Sequence, residues 1–296
     1  MQAFVERSTA FASADTRLAA QREAYLRMAA AFTPRMPAGL IQIDHAARPH
    51  CPALRSYLPA LPRPAGGWPT VVYLHGGGWM LGNLDSHDFI CRPLALALSA
   101  QVVAVDYRLA PEHPYPAALT DTQQAWSHVG AWPGVNARSM VVAGDSAGAN
   151  LAASLCLALR AQGQAQPRGQ VLVYPLLGTG GTPSYQQHAC APLLTAADAQ
   201  ACLAGYLGGH PAPGELAVPL LAPHLGGLAP AFTGVAQFDP LRDDGVRYAE
   251  RLRADRVAAE LCEVGGWLHG ALRAWDSPET LALRGAMFAW LADRLA

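Results

Sequence analysis

Met140-Val141-Val142-Ala143-Gly144-Asp145-Ser146-Ala147-Gly148 carries a β-branched, apolar run straight into the pattern Gly-x-Ser-x-Gly. From Ala147 to Gln162 the residues then read as a helix. A buried strand that runs through G-x-S-x-G directly into a helix is the context of a nucleophile elbow. The turn is so tight that the residues two before and two after the serine must be small. Gly144 and Gly148 meet that demand; a Cβ at either would strike the neighbouring strand or helix. The strained turn lifts the Ser146 hydroxyl clear of the sheet, at a helix N-terminus where the dipole favours negative charge. The competing role for Ser146 is that of a plain helix cap.

Outward from this stretch the same rhythm repeats. Thr70 to Leu74, Val102 to Asp106 and Val171 to Tyr174 are further buried-strand candidates, and Ala117 to Ala131 reads as a helix. Continuous rather than alternating apolar runs mean strands covered on both faces. Strands alternating with helices mean an α/β fold with a mostly parallel central sheet flanked by helices. Leu40 to Asp44 alternates like an outer strand. Phe232 to Ala236 resumes the sheet, and helices are expected at about 243–255 and 278–295. Two regions break the rhythm. The first thirty-odd residues are helical, with Leu18, Arg22, Tyr25, Leu26, Ala29 and Phe32 at helix spacing until Pro34. The segment from Gly178 to about Glu215 holds one helical piece, 196–207, and is too long for an ordinary connection. It is read as an insertion over the active edge of the sheet.

His75-Gly76-Gly77-Gly78-Trp79 follows the strand at 70–74. Consecutive glycines let backbone N–H groups approach a ligand, and such donors can hold a developing alkoxide. No Gly-Lys-Ser/Thr follows, which disfavours a phosphate loop. The N–H of Ala147, next after the serine, is a further expected donor. The motif demands the order Ser, acid, His. Only His269 of the ten histidines lies beyond position 224, so it is the candidate base. His75 is the alternative by proximity, with a loop-shaping role expected for it. Asp239, at the exit of the strand at 232–236, is the candidate acid. Asp243 and Asp244, in the first turn of the next helix, are the runners-up. Asp239 would hold the imidazole in the working tautomer. A histidine base works only when neutral, so turnover is expected to fall below about pH 6–7.

Composition narrows the function classes. The chain has 296 residues, 51% hydrophobic and 15% charged, with Lys+Arg 21 against Asp+Glu 22. That net charge of -1 excludes the basic excess of a nucleic-acid binder. Every basic residue among the 21 is Arg, so no lysine-based variant of serine catalysis is available. A chain this long can bury roughly 75% of its unfolded surface, so the core needs no staples. The six cysteines form no CxxC pair, and no metal or cofactor is expected. No convincing signal peptide and no membrane-length apolar run is seen, so a cytoplasmic protein without a membrane partner is expected.

Together HGGGW at 75–79, DYRLAPEHPYPAAL at 106–119, GDSAGANLA at 144–152, DPLRDDG at 239–245 and His269-Gly270 resemble the hormone-sensitive-lipase-like esterases, the bacterial family IV of the α/β-hydrolases. The resemblance runs from about Pro69 to Trp275. It implies an α/β-hydrolase fold with a helical cap. On that basis residues 1–40 form part of the cap, 41–177 and 216–296 the catalytic domain, and 178–215 the cap insertion. It also implies no cofactor, a small-molecule ester as substrate and, as often in the family, a homodimer. By match to the motif, Gly77, Gly78 and Ala147 would form the oxyanion hole. The pattern is broken at Ala149, where Gly is common, at Gln237, where Glu is usual, and at Ala271, where Phe is usual. The loss of a ring at 271 bears on the shape of the pocket more than on the chemistry. The expected activity is hydrolysis of short- to medium-chain carboxylic esters through Ser146, His269 and Asp239. Lactonase, amidase and lysophospholipase activities share that machinery, and a non-catalytic ligand receptor is the alternative from another class. By position, Trp79, Phe32, Tyr185, Leu203 and Leu207 are candidates for the pocket wall, with a packed-core role the competing reading for each.

Overall fold

The computed structural model describes residues 1–210 and 213–296. In chain order the elements are α1 (Gln2–Thr9), α2 (Leu18–Phe32), β1 (Leu40–His45), β2 (Ala53–Pro59), β3 (Trp68–Leu74), α3 (Asp88–Leu98), β4 (Gln101–Asp106), α4 (Ala117–Gly130) and β5 (Val135–Asp145). They continue with α5 (Ala147–Ala161), β6 (Gln170–Val173), α6 (Pro183–Gln187), α7 (Ala196–Leu207), β7 (Ala231–Phe238), α8 (Arg242–Ala254), β8 (Ala259–Leu268) and α9 (Pro278–Leu295). The eight strands form one sheet in the order β1-β2-β4-β3-β5-β6-β7-β8. β1 and β2 pair antiparallel, and β2 pairs antiparallel with β4. All pairings from β4 through to β8 are parallel.

The unbroken apolar strands are explained by what lies on each face. Val72, Leu74, Val103 and Val142 join a core with Leu151, Leu155 and Tyr248 of α5 and α8. Their chain neighbours Val71, Tyr73, Val102 and Val141 join a second core with Phe89, Leu94 and Leu291 of α3 and α9. Alternate side chains point to opposite faces of a strand, so burial of both faces removes the polar positions.

Two strands escaped the sequence reading, for different reasons. β2 carries Arg55 and Ser56, both buried. Arg55 is tolerated because its guanidinium meets Asp44, Asp85 and Asp88, which no local pattern reveals. β8 is an edge strand with exposed Glu260 and Glu263 and the glycines 265 and 266, so it lacks a continuous apolar run.

The N-terminal helices and the insertion carrying α6 and α7 pack over the sheet. Arg22 ties α2 to the core. It donates to the carbonyls of Met80 and Ala110 and forms a 2.7 Å ion pair with Glu112. Thr195 caps α7 through a reciprocal pair of bonds with Asp198. The insertion read at 178–215 includes positions 211 and 212, which lie outside the described residues.

Candidate active site

The carboxyl ends of β3, β5, β7 and β8 deliver the candidate residues to one place, as expected for an open parallel sheet. At the end of β5, Ser146 adopts φ 54°, ψ -118°. Its N–H donates to the carbonyl of Val173 on β6 over 2.8 Å, which pins the strained turn. A Cβ on Gly144 would lie 2.5 Å from the backbone of Gly148, and one on Gly148 would run into the carbonyl oxygen of Leu74. Ser146 makes no side-chain cap bond to α5. Its hydroxyl instead lies 3.0 Å from Nε2 of His269, which disposes of the helix-cap role.

His269 sits just beyond β8, and its Nδ1 is 2.8 Å from Oδ2 of Asp239. A carboxylate only accepts, so Nδ1 carries the proton and Nε2 is left to accept from the serine. Asp239 is 0% exposed and His269 8%. The other Asp239 oxygen accepts the N–H of Leu241 over 2.8 Å. The register of β7 against β8 shifts between Ala236 and Phe238, immediately before the acid. Gln237 accepts the N–H of Gly266 over 2.7 Å. That needs only an acceptor, so glutamine serves where glutamate is usual.

Gly77 and Gly78 hold φ 126° and 61°, conformations an L-residue rarely adopts. A Cβ on Gly78 would come within 2.5 Å of the Cys202 sulfur. Among the described residues, the N–H groups of Gly77, Gly78 and Ala147 donate to no protein acceptor. The N–H of Gly76, by contrast, donates to Oδ1 of Asp145 over 3.1 Å.

The other candidates do structural work. His75 Nδ1–H donates to the carbonyl of Gly76 over 2.9 Å, and its ring stacks on Tyr107 at 4.2 Å. Burial, reinforced by His87, pushes its pKa down to about 3, so it stays neutral and shapes its loop. Asp243 accepts the N–H of Ser184. Asp244 accepts the N–H groups of Leu177 and Gly178 over 3.0 and 2.8 Å, fastening the start of the insertion to α8.

A cavity of about 620 Å³ opens in front of Ser146 and His269. Its wall comes from Phe4, Tyr25 and Met28 on the N-terminal side and Leu193, Leu194 and Cys202 on the insertion. Of the two roles open to the five side chains placed by position, the structure gives packing and not the wall. Trp79, Phe32, Tyr185, Leu203 and Leu207 do not line the cavity. Trp79 is wholly buried and stacks on Tyr206 of α7 at 4.2 Å; Phe32 packs on Phe4. Helix faces cannot be assigned to cavity or core until neighbouring elements are placed; Trp79, Phe32, Tyr185 and Leu203 went to the core, and half-buried Leu207 packs against it.

Sequence reasoning also missed the support beneath the elbow. Asp145 is buried between Tyr73 OH at 3.0 Å and His87 Nε2 at 3.1 Å. Burial opposes its charge, but His87, Arg273 and the Tyr73 hydroxyl hold its carboxyl well below the usual range. A signal existed: an acid inside a tight buried turn requires donors. Its partners lie 58 and 72 positions away. Among the described residues no group of three or more His, Cys, Asp or Glu could hold a metal ion.

Known proteins are similar to this chain. A family profile described as an alpha/beta hydrolase fold matches residues 71–273. Carboxylesterase NlhH of Mycobacterium tuberculosis is 45% identical over 210 residues, 68% of this chain and 66% of that protein. The chain therefore spans just under two thirds of that relative's length. An ethyl acetate hydrolase of Pseudomonas putida is 37% identical over 76% of this chain and 72% of that protein. The structure of an esterase from the bacterial hormone-sensitive lipase family superposes with a TM-score of 0.89 at 25% identity, covering 100% of this chain and 98% of that one.

Proposed function

We propose, from the premise that this chain belongs to the α/β-hydrolase family and within it to the hormone-sensitive-lipase-like esterases, that it is a serine carboxylesterase. The observation that carries the proposal is the unbroken chain Ser146 Oγ, His269 and Asp239, with bonds of 3.0 and 2.8 Å, facing a cavity. In this reading Ser146 attacks the ester carbonyl as Nε2 of His269 takes its proton. The oxyanion is held by the N–H groups of Gly77, Gly78 and Ala147, which have no other partner among the described residues to give up. The imidazolium then protonates the leaving alcohol, and an acyl-enzyme remains. Water, deprotonated by the same histidine, attacks the acyl carbon. Ser146 regains its proton and the acid leaves.

A cavity of about 620 Å³ lies within the range of small-molecule sites, roughly 300–1,000 Å³. Its largely apolar wall supports short to medium acyl chains. We treat residues 1–40 and 178–215 as the cap over this site. A homodimer and a cytoplasmic location belong to the same proposal; all six cysteines are free, which suits a reducing compartment. No helix of the described residues is long and apolar enough to cross a membrane. The test is a fluorophosphonate label combined with nitrophenyl esters of two to sixteen carbons. Labelling on Ser146 and an optimum at the short to medium chains are expected. No label on Ser146, or a preference for the longest chains, would overturn the reading.

A further inference from the structure

The cavity wall contains one side chain that ester hydrolysis does not call for. Arg273 lies four residues beyond His269, on the short 3₁₀ turn Ala271–Arg273. It is 5% exposed and lines the cavity. Its guanidinium has five donors. Nη2 donates to the Tyr25 hydroxyl, and Nε is buried with no partner. Among the described residues no carboxylate lies within ion-pair distance of it, whereas buried Arg55 meets three. Aromatic faces take part of the load. The guanidinium carbon lies 4.9 Å from the Tyr25 ring and 5.3 Å from the Phe89 ring. Asp145 acts on it only at longer range, because its own oxygens are taken by His87, Tyr73 and Gly76.

A buried charge without an ion partner is costly, and folds ordinarily pair it. This fold does so at Arg55, away from the cavity, and does not at Arg273, which borders it. The position of one open donor is also known. A Cβ on Gly270, next to His269, would lie 3.8 Å from Nη1 of Arg273, and Nη1 donates to no group among the described residues. An open donor therefore lies next to Gly270, itself a lining residue of the cavity and the neighbour of the candidate base.

We propose that Arg273 is a specificity-determining residue that receives a carboxylate of the substrate. The preferred esters then carry a carboxylate a few bonds from the scissile carbonyl. This rests on the esterase reading above. The carboxylate can belong to the acyl part or to the alcohol part, and the guanidinium recognises either in the same way.

The experiment measures kcat and KM at pH 7.5 on two matched pairs. Methyl hydrogen glutarate against methyl pentanoate places the charge on the acyl side. Acetoxyacetate against propyl acetate places it on the alcohol side. With the native protein, the charged member should equal or exceed its neutral partner in kcat/KM in at least one pair. In Arg273→Gln that charged-to-neutral ratio should fall about tenfold to hundredfold, mainly through KM, and Arg273→Lys should recover part of it. A guanidinium that only balances Asp145 would move both members of a pair together. A native protein that favours the neutral ester in both pairs overturns the proposal, and that test needs no variant to fold. So does a ratio that Arg273→Gln leaves in place. Failure to hydrolyse any of the four esters would instead sink the esterase reading itself.

Discussion

The carboxylate of Asp145 lies 3.1 Å from Nε2 of His87, and the same carboxylate holds the N–H of Gly76 at the head of the glycine loop. One buried acid thus ties the turn carrying Ser146 to the loop carrying Gly77 and Gly78. Asp145→Ala leaves the Tyr73 hydroxyl, the His87 ring and the Gly76 N–H without their acceptor, at about 1–3 kcal/mol each. We expect a clear drop in melting temperature and a kcat lower by about 10–100-fold as the loop donors drift. Steady-state kinetics and thermal unfolding check this. An unchanged kcat with reduced stability would confine Asp145 to packing.

Ser146 is separable from the fold. Its hydroxyl bonds to His269 and not to the helix it precedes. Ser146→Ala should lower turnover by on the order of 10⁴ or more while leaving the melting temperature close to native. Retained esterase rate in this variant would exclude it as the nucleophile.

The placement of Trp79 makes a contrasting prediction. Its ring, 4.2 Å from Tyr206, joins the glycine loop to α7 without touching the cavity. Trp79→Ala should cost about 3–5 kcal/mol and leave the acyl-chain optimum where it was. Leu194→Trp, on the cavity wall, should shift that optimum to shorter chains. The nitrophenyl ester series on both variants decides it; a moved optimum in Trp79→Ala would return that residue to the pocket.

Asp244 supplies a pH dependence of stability. Burial, only partly offset by the N–H groups of Gly178 and Leu177, pushes its pKa up to about 6 from 3.8. Between about pH 4 and 6 the folded protein keeps a proton that the unfolded chain has released. The native state then binds more protons, so stability falls as pH rises through this window and levels off above it. The loss is on the order of 3 kcal/mol. Asp244→Asn removes the titration. Melting temperatures from pH 4 to 8 should show the native protein losing ground to the variant up to about pH 6 and no further above it, and a constant difference throughout would contradict the assignment.

Much of the site was legible because its chemistry is local. Gly144, Ser146 and Gly148 must be small, polar and small within five consecutive residues, since the strained turn leaves no alternative. Five of the parallel strands were legible because burial on both faces strips them of polar positions. β2 was not, because Arg55 is buried by acids at 44, 85 and 88 that only folding gathers. β8 was not, because an edge strand keeps one face for water.

Residue order alone was enough to read the α/β fold, the strand–turn–helix at Ser146, the glycine loop, and the order of the candidate acid and base. Those features depend on backbone sterics and on periodicity, which act between near neighbours. Only the tertiary structure decided that Trp79 packs on Tyr206 rather than lining the cavity. It alone set Asp145 against His87, and left Arg273 beside the candidate base with open donors. These are outcomes of burial and of charge at a distance. Both depend on which residues, tens to hundreds of positions apart, the packed sheet and its cap bring within a few ångströms.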